Sequence, residues 1–157
     1  MPSIFKRVQL RPSQLRTVAD RRLADAQYLR NSQRNERANG AMYLAGFVVE
    51  CLLKAALLDH HPWLQNGARP VSRSEADQEL WSLCYRSHDL DEILARLPNV
   101  MDQFNKLEAA VRSRLIADLQ IVCGEWTIFA RYSPQSATMQ EAGGFLARVE
   151  ELKPWLK

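Results

Sequence analysis

Apolar positions along the chain recur at helical spacing and nowhere alternate as they would in a half-buried strand. Leu15, Val18, Ala19, Ala26 and Leu29, with Arg22 in the same register, mark a first helix. It is expected to start after Pro12-Ser13 with Ser13 as N-cap and to fray between Asn31 and Asn39. The stretch from about Asn39 to Asp59 predicts a second helix, apolar nearly all round between Phe47 and Leu58, as the central member of a bundle would be. Pro62, Gly67 and Pro70 interrupt the next region, and Ser74 is placed to cap a short helix through Trp81. Asp89 and Glu92 have the spacing of a capping box, and Pro98 is expected to end the element they open. Phe104, Leu107, Val111, Leu115, Leu119, Val122, Trp126 and Phe129 then form one stripe, read as a single helix of about seven turns that stops near Arg131-Tyr132-Ser133-Pro134. Thr138 and Glu141 form a second capping-box spacing before a last helix bearing Leu146, Val149 and Leu152, which ends by Pro154.

The pattern predicts an all-α fold, an antiparallel bundle of four to five helices with one or two short ones inserted. With 157 residues and no linker or repeat, the chain reads as one domain over 1–157 with its core at about 13–152. A chain of this size buries enough surface to need no staple, and Cys51, Cys84 and Cys123, odd in number and widely spaced, read as buried free thiols of a cytoplasmic protein. The segment from Met1 to Arg7 has charge but no apolar run behind it, so no signal peptide is expected. Ala41 to Leu58 is apolar enough to raise the question of a membrane span, but Glu50 and Lys54 lie inside it and each would cost roughly 2.5–3.5 kcal/mol at a bilayer centre. A buried helix, with no membrane partner, is the better expectation.

The net charge of +3 conceals an asymmetry. Residues 1–37 carry nine Lys and Arg against three Asp and Glu, a net of +6, and the remainder carries twelve against fifteen, a net of −3. Such a basic segment suits nucleic acid, the acidic remainder of its own fold, or an acidic partner.

Candidate chemistry is sparse. Glu50 and Lys54 stand four apart with the acid first, the favourable order for an ion pair within a helix, and their apolar surroundings make an unpaired charge expensive. The pair serves either to hold the bundle's register or to meet a ligand, an arginine of another helix or a partner chain. His60 and His61 adjoin at a helix end and point apart, which suits helix-end polarity better than a metal site. His88 stands at the mouth of a short helix, where a ring nitrogen can bond backbone or a carboxylate. Arg131 and Tyr132 close the long stripe: the guanidinium suits a helix C-terminus or a phosphate, and the tyrosine suits the edge of the core. Gly143-Gly144 reads as a close-packing or bending point in the last helix. No phosphate loop, dinucleotide fingerprint, zinc-protease or serine-hydrolase motif occurs, and neither a cofactor nor a metal is expected.

Three segments together, Val48-Val49-Glu50-Cys51-Leu52-Leu53-Lys54-Ala55-Ala56-Leu57, His88-Asp89-Leu90-Asp91-Glu92-Ile93-Leu94 and Arg131-Tyr132-Ser133-Pro134, resemble the HEPN family, and Tyr43-Leu44-Ala45-Gly46-Phe47 extends the likeness. The resemblance covers about residues 13 to 152. It implies an all-α bundle of the kind found in prokaryotic toxin–antitoxin and phage-defence systems, a homodimer, and a neighbouring nucleotidyltransferase as partner. It marks Glu50, Lys54, His88, Arg131 and Tyr132 as positions for binding a ligand or partner. Many members of the family are metal-independent ribonucleases that use an arginine followed by a histidine after four to six residues. Here no histidine stands at that distance after any arginine, so the general acid/base group for attack by the RNA 2′-OH is missing from its expected place. Whether the chain is an enzyme is thus left open by the sequence. The resemblance implies a non-nucleolytic module that binds a nucleotide, RNA or a protein partner. The alternatives are a ribonuclease toxin with a rearranged site, His88 and Arg131 meeting across the bundle or a dimer seam, and a purely structural interaction subunit.

Overall fold

The computed structural model describes residues 9–156. Among them the protein is all-helical, with no strand. Four α-helices are long, α1 (Pro12–Asn31), α2 (Ala38–His60), α6 (Ala109–Glu125) and α7 (Met139–Leu152). Three are shorter, α3 (Glu75–Tyr85), α4 (Leu90–Ala95) and α5 (Pro98–Phe104). The basic N-terminal stretch through Arg7, and with it the expectation of no signal peptide, lies outside the described residues.

The near-continuous apolar character of α2 is explained by its neighbours. It packs along α1 and α7, and α3, α4 and a 3-10 turn at Ile128–Tyr132 also lean on it. Val48, Val49, Leu52, Leu53, Ala55, Leu57 and Leu58 are fully buried, in one cluster with Leu15, Leu23, Leu90, Ile93, Leu119, Leu146 and Val149. The helix is long and apolar enough to cross a membrane by length and composition, and here most of it is covered by the rest of the chain. A smaller cluster of Ala38, Ala41, Met139 and Ala142 joins the start of α2 to the start of α7, where small side chains let the two helices approach.

Helix ends follow the expected chemistry at Ser74, Asp89 and Thr138, each accepting a hydrogen bond from the backbone three residues on. Only Thr138 and Glu141 complete a reciprocal box. Elsewhere the ends differ from expectation. Helix α1 begins at Pro12, with Arg11 in the cap position and no side-chain cap, so Ser13 lies inside the helix. A proline has no N–H to satisfy and suits the first turn. For the same reason Pro98 opens α5 instead of ending α4.

The expected seven-turn helix is two helices and a turn. Helix α5 stops at Phe104, whose ring is completely buried, and Asn105 and Leu107 donate back to Met101 and Phe104 while the chain turns. No glycine or proline marks this break; burial of Phe104 overrides local helix preference. Helix α6 stops at Glu125 because Trp126 leaves helical geometry (φ −78°, ψ 131°) to bury its indole. That indole packs on Gly46 of α2, where a Cβ would stand only 1.9 Å from Trp126 Cδ1, and its Nε1–H donates to the Tyr43 carbonyl at 3.1 Å. Gly46 is therefore a notch that receives Trp126. Gly143, by contrast, has no neighbour within 4 Å of a would-be Cβ and Gly144 has only the end of Arg148 at 3.8 Å, so close packing does not account for that pair.

Candidate functional site

The i,i+4 spacing on α2 brings Lys54 Nζ to 2.8 Å from Glu50 Oε1, with both side chains almost wholly buried. Two buried charges are tolerable only if further hydrogen bonds support them. Lys54 Nζ also donates to the Ser87 carbonyl at 2.7 Å, and His88 Nδ1 lies 2.9 and 3.1 Å from the two Glu50 oxygens. One carboxylate thus ties α2 to the α3–α4 connection from two directions.

That connection is held in place locally as well. Arg86 and Ser87 both donate backbone N–H to Ser82 at the end of α3, the Ser87 hydroxyl accepts from Asp89 N, and Asp89 Oδ1 accepts from Glu92 N to cap α4. The imidazole is thereby fixed in position. An ionised carboxylate can only accept, so Nδ1 carries a hydrogen, and in the neutral ring Nε2 keeps its lone pair. Nε2 has no partner among the described residues, and the side chain is 39% exposed.

The open side of His88 lines a cavity of about 360 Å³ between the start of α4 and the end of α6, together with Asp89, Asp91, Gly124, Trp126 and Phe129. Trp126 forms its buried wall, stacked on Tyr43 at a centroid distance of 6.0 Å, whereas the Phe129 ring is 72% exposed. No lysine or arginine lines it. Its charged lining is acidic, Asp89 and Asp91, and at its edge burial first, then the charges of Asp91 and Asp89, push the Cys123 thiol up to about 12.

Of the five residues singled out in sequence, the structure brings Glu50, Lys54 and His88 into one contact network. Arg131 and Tyr132 are outside it. They lie at the end of the Ile128–Tyr132 turn, which belongs to no long helix, and neither lines the His88 cavity. The Arg131 guanidinium stacks 4.7 Å above the Tyr132 ring, and Tyr132 is 70% exposed, so it does not close the edge of the core. His60 and His61 meet edge to face at 4.7 Å, and burial, then His60, lowers the pKa of His61. Among the described residues no group of three His, Cys, Asp or Glu side chains is arranged to hold a metal ion.

Sequence reasoning missed the Ser87 carbonyl, Asp91, the Trp126 notch and Phe129. A glycine inside an otherwise apolar helix is a signal of close approach, and Gly46 could have been read so. The Ser87 carbonyl carries no side-chain signal at all. Comparison of the chain with protein-family models, with curated proteins and with solved structures gives no significant match.

Proposed function

We propose that this chain is a HEPN-like binding module without ribonuclease activity, with its ligand seat in the cavity beside His88. The observation that carries this reading is the Glu50–Lys54–His88 network. Its members belong to two of the segments on which the resemblance rests, so residues 38 positions apart serve one polar centre in an apolar bundle. A buried ion pair is rarely worth its desolvation for stability alone, and here it orients an imidazole toward an open cavity. In this reading the module is a cytoplasmic homodimer that works beside a nucleotidyltransferase, and its ligand is a nucleotide, RNA or that partner. Lys54, turned inward onto Glu50 and Ser87, acts as a positioning residue for His88, while Arg131 and Tyr132 contribute from the surface beyond Phe129.

The ribonuclease reading keeps one supporting feature, an imidazole held by a carboxylate with Nε2 free, which is the arrangement of a general base. It lacks a cation beside that nitrogen, since Arg131 does not line the cavity.

Incubating the protein, His88→Ala and Arg131→Ala with labelled single-stranded RNA and transfer RNA at two salt concentrations tests both readings by cleavage and by gel retardation. Co-purification with a co-expressed neighbouring nucleotidyltransferase covers the partner. The binding reading expects intact RNA, together with salt-sensitive retardation or a stable complex that His88→Ala weakens. Cleavage abolished by His88→Ala overturns it, and so does the absence of every interaction.

A further inference from the structure

The side chains of His88, Asp89 and Asp91 around the cavity can all accept hydrogen bonds, and the Ser87 and Thr127 hydroxyls that also line it can accept or donate. In the neutral ring Nε2 of His88 presents a lone pair, because the Nδ1–H is directed to Glu50. Asp89 uses Oδ1 to cap α4 and keeps Oδ2. Asp91 has no hydrogen-bond partner among the described residues, and its Oδ2 lies 3.9 Å from where a Cβ on Gly124 would stand, over the cavity wall. The largely exposed Phe129 lines the same cavity.

An anion finds little here. The one ammonium near the site, Lys54, stands behind Glu50 and already donates to that carboxylate and to the Ser87 carbonyl. Neither it nor any other lysine or arginine lines the cavity. A phosphate would meet two carboxylates and one imidazole, an unfavourable set at neutral pH. A planar cation with several N–H donors meets the opposite situation. Its edge can donate to His88 Nε2 and to a carboxylate together, and its face can stack on an aromatic ring. An ammonium, as a compact point charge, matches the carboxylates but not the stacking surface.

We infer that the His88 cavity takes a guanidinium group, held between the carboxylate of Asp91, Nε2 of His88 and the ring of Phe129. This rests on the reading that the cavity is the module's ligand seat, and it narrows that seat from any ligand to one chemistry. The group can come from an arginine of a partner protein or from a free guanidino compound.

The test follows the imidazole resonances of His88 and the indole N–H of Trp126 by NMR while the protein is titrated separately with agmatine, a short peptide with one central arginine, its lysine counterpart, and AMP. Agmatine or the arginine peptide should move both sets of signals, with the lysine peptide weaker and AMP inert. Asp91→Asn should weaken the guanidinium response by about tenfold, the size of one charged hydrogen bond. Asp91 is exposed, so circular dichroism of this variant should match the parent. A response to the peptide but not to agmatine assigns the source to a protein partner; equal responses show that the side chain suffices. If AMP moves these signals and neither guanidino probe does, the inference is overturned while the cavity stands as a ligand seat. If no probe moves them, both are overturned.

Discussion

The two oxygens of Glu50 lie 2.9 and 3.1 Å from Nδ1 of His88, and one of them is shared with Lys54 at 2.8 Å. A single buried carboxylate therefore satisfies two cationic or proton-bearing groups from different elements. Removing either charge of the ion pair leaves the other buried without its counter-ion, Lys54 with only the Ser87 carbonyl or Glu50 with only His88. Glu50→Leu and Lys54→Met should each lower stability by about 3–5 kcal/mol in urea unfolding, with the double variant costing clearly less than the sum. Strict additivity would show that the pair is not energetically coupled.

The glycines of two helices should respond oppositely to alanine. At Gly46 the new methyl would collide with the indole of Trp126 near its root, where the ring cannot swing aside, so Gly46→Ala should cost about 1–3 kcal/mol. Adding Trp126→Ala should recover part of that loss relative to Trp126→Ala alone. At Gly143 the methyl meets open space inside α7, and the better helix propensity should raise stability by about 0.5–1 kcal/mol. Thermal melting of these four variants beside the parent checks both signs; a stabilised Gly46→Ala would refute the notch.

These contrasts show how far the sequence could be read. The ion pair of Glu50 and Lys54 was legible because it is local, fixed by one helical turn. The caps at Ser74, Asp89 and Thr138 were legible for the same reason. His88 meeting Glu50 was not, because that contact depends on how the α3–α4 connection returns to α2, and spacing along the chain does not encode it. The end of α6 was misread because Trp126 fits a helical stripe equally well. What removes it from the helix is a notch 80 residues earlier in the sequence. The same apparent continuity makes Arg131 and Tyr132 look like a helix terminus, whereas they end the separate Ile128–Tyr132 turn.

The capping box of α7 gives a pH signature. Glu141 accepts from the Thr138 backbone and hydroxyl, and these bonds, the backbone one first, hold its carboxyl below the ordinary 4.5. In the unfolded chain the group takes up its proton at a higher pH than in the folded one. Its contribution is thus present above about pH 4.5 and is lost as the pH falls through the lower folded value. Thr138→Ala should cost about 1 kcal/mol near neutrality. The difference in melting temperature between Glu141→Gln and the parent should close in acid, and a gap of equal size at neutral and acid pH would contradict the assignment.

The three cysteines should be silent in the folded protein. Burial pushes Cys51 and Cys123 up to about 12 and Cys84 up to about 11, with the Glu50 charge adding to the effect at Cys51. At pH 8 the thiolate fraction should be on the order of one part in a thousand or less. A disulfide reagent should therefore react slowly with the native protein and release three equivalents once denaturant is added. Rapid reaction of one thiol before unfolding would place that residue at the surface.

Lys54 reaches the α3–α4 connection through the main-chain carbonyl of Ser87, which any amino acid at that position would supply. Substitution at residue 87 would remove the hydroxyl that accepts from Asp89 N but would leave this end of the anchor in place. Its importance would emerge only when the peptide unit itself is altered, by replacing the amide with an ester between residues 87 and 88 so that the carbonyl becomes a poorer acceptor. In this protein, tolerance to side-chain change and participation in the polar centre are separate properties.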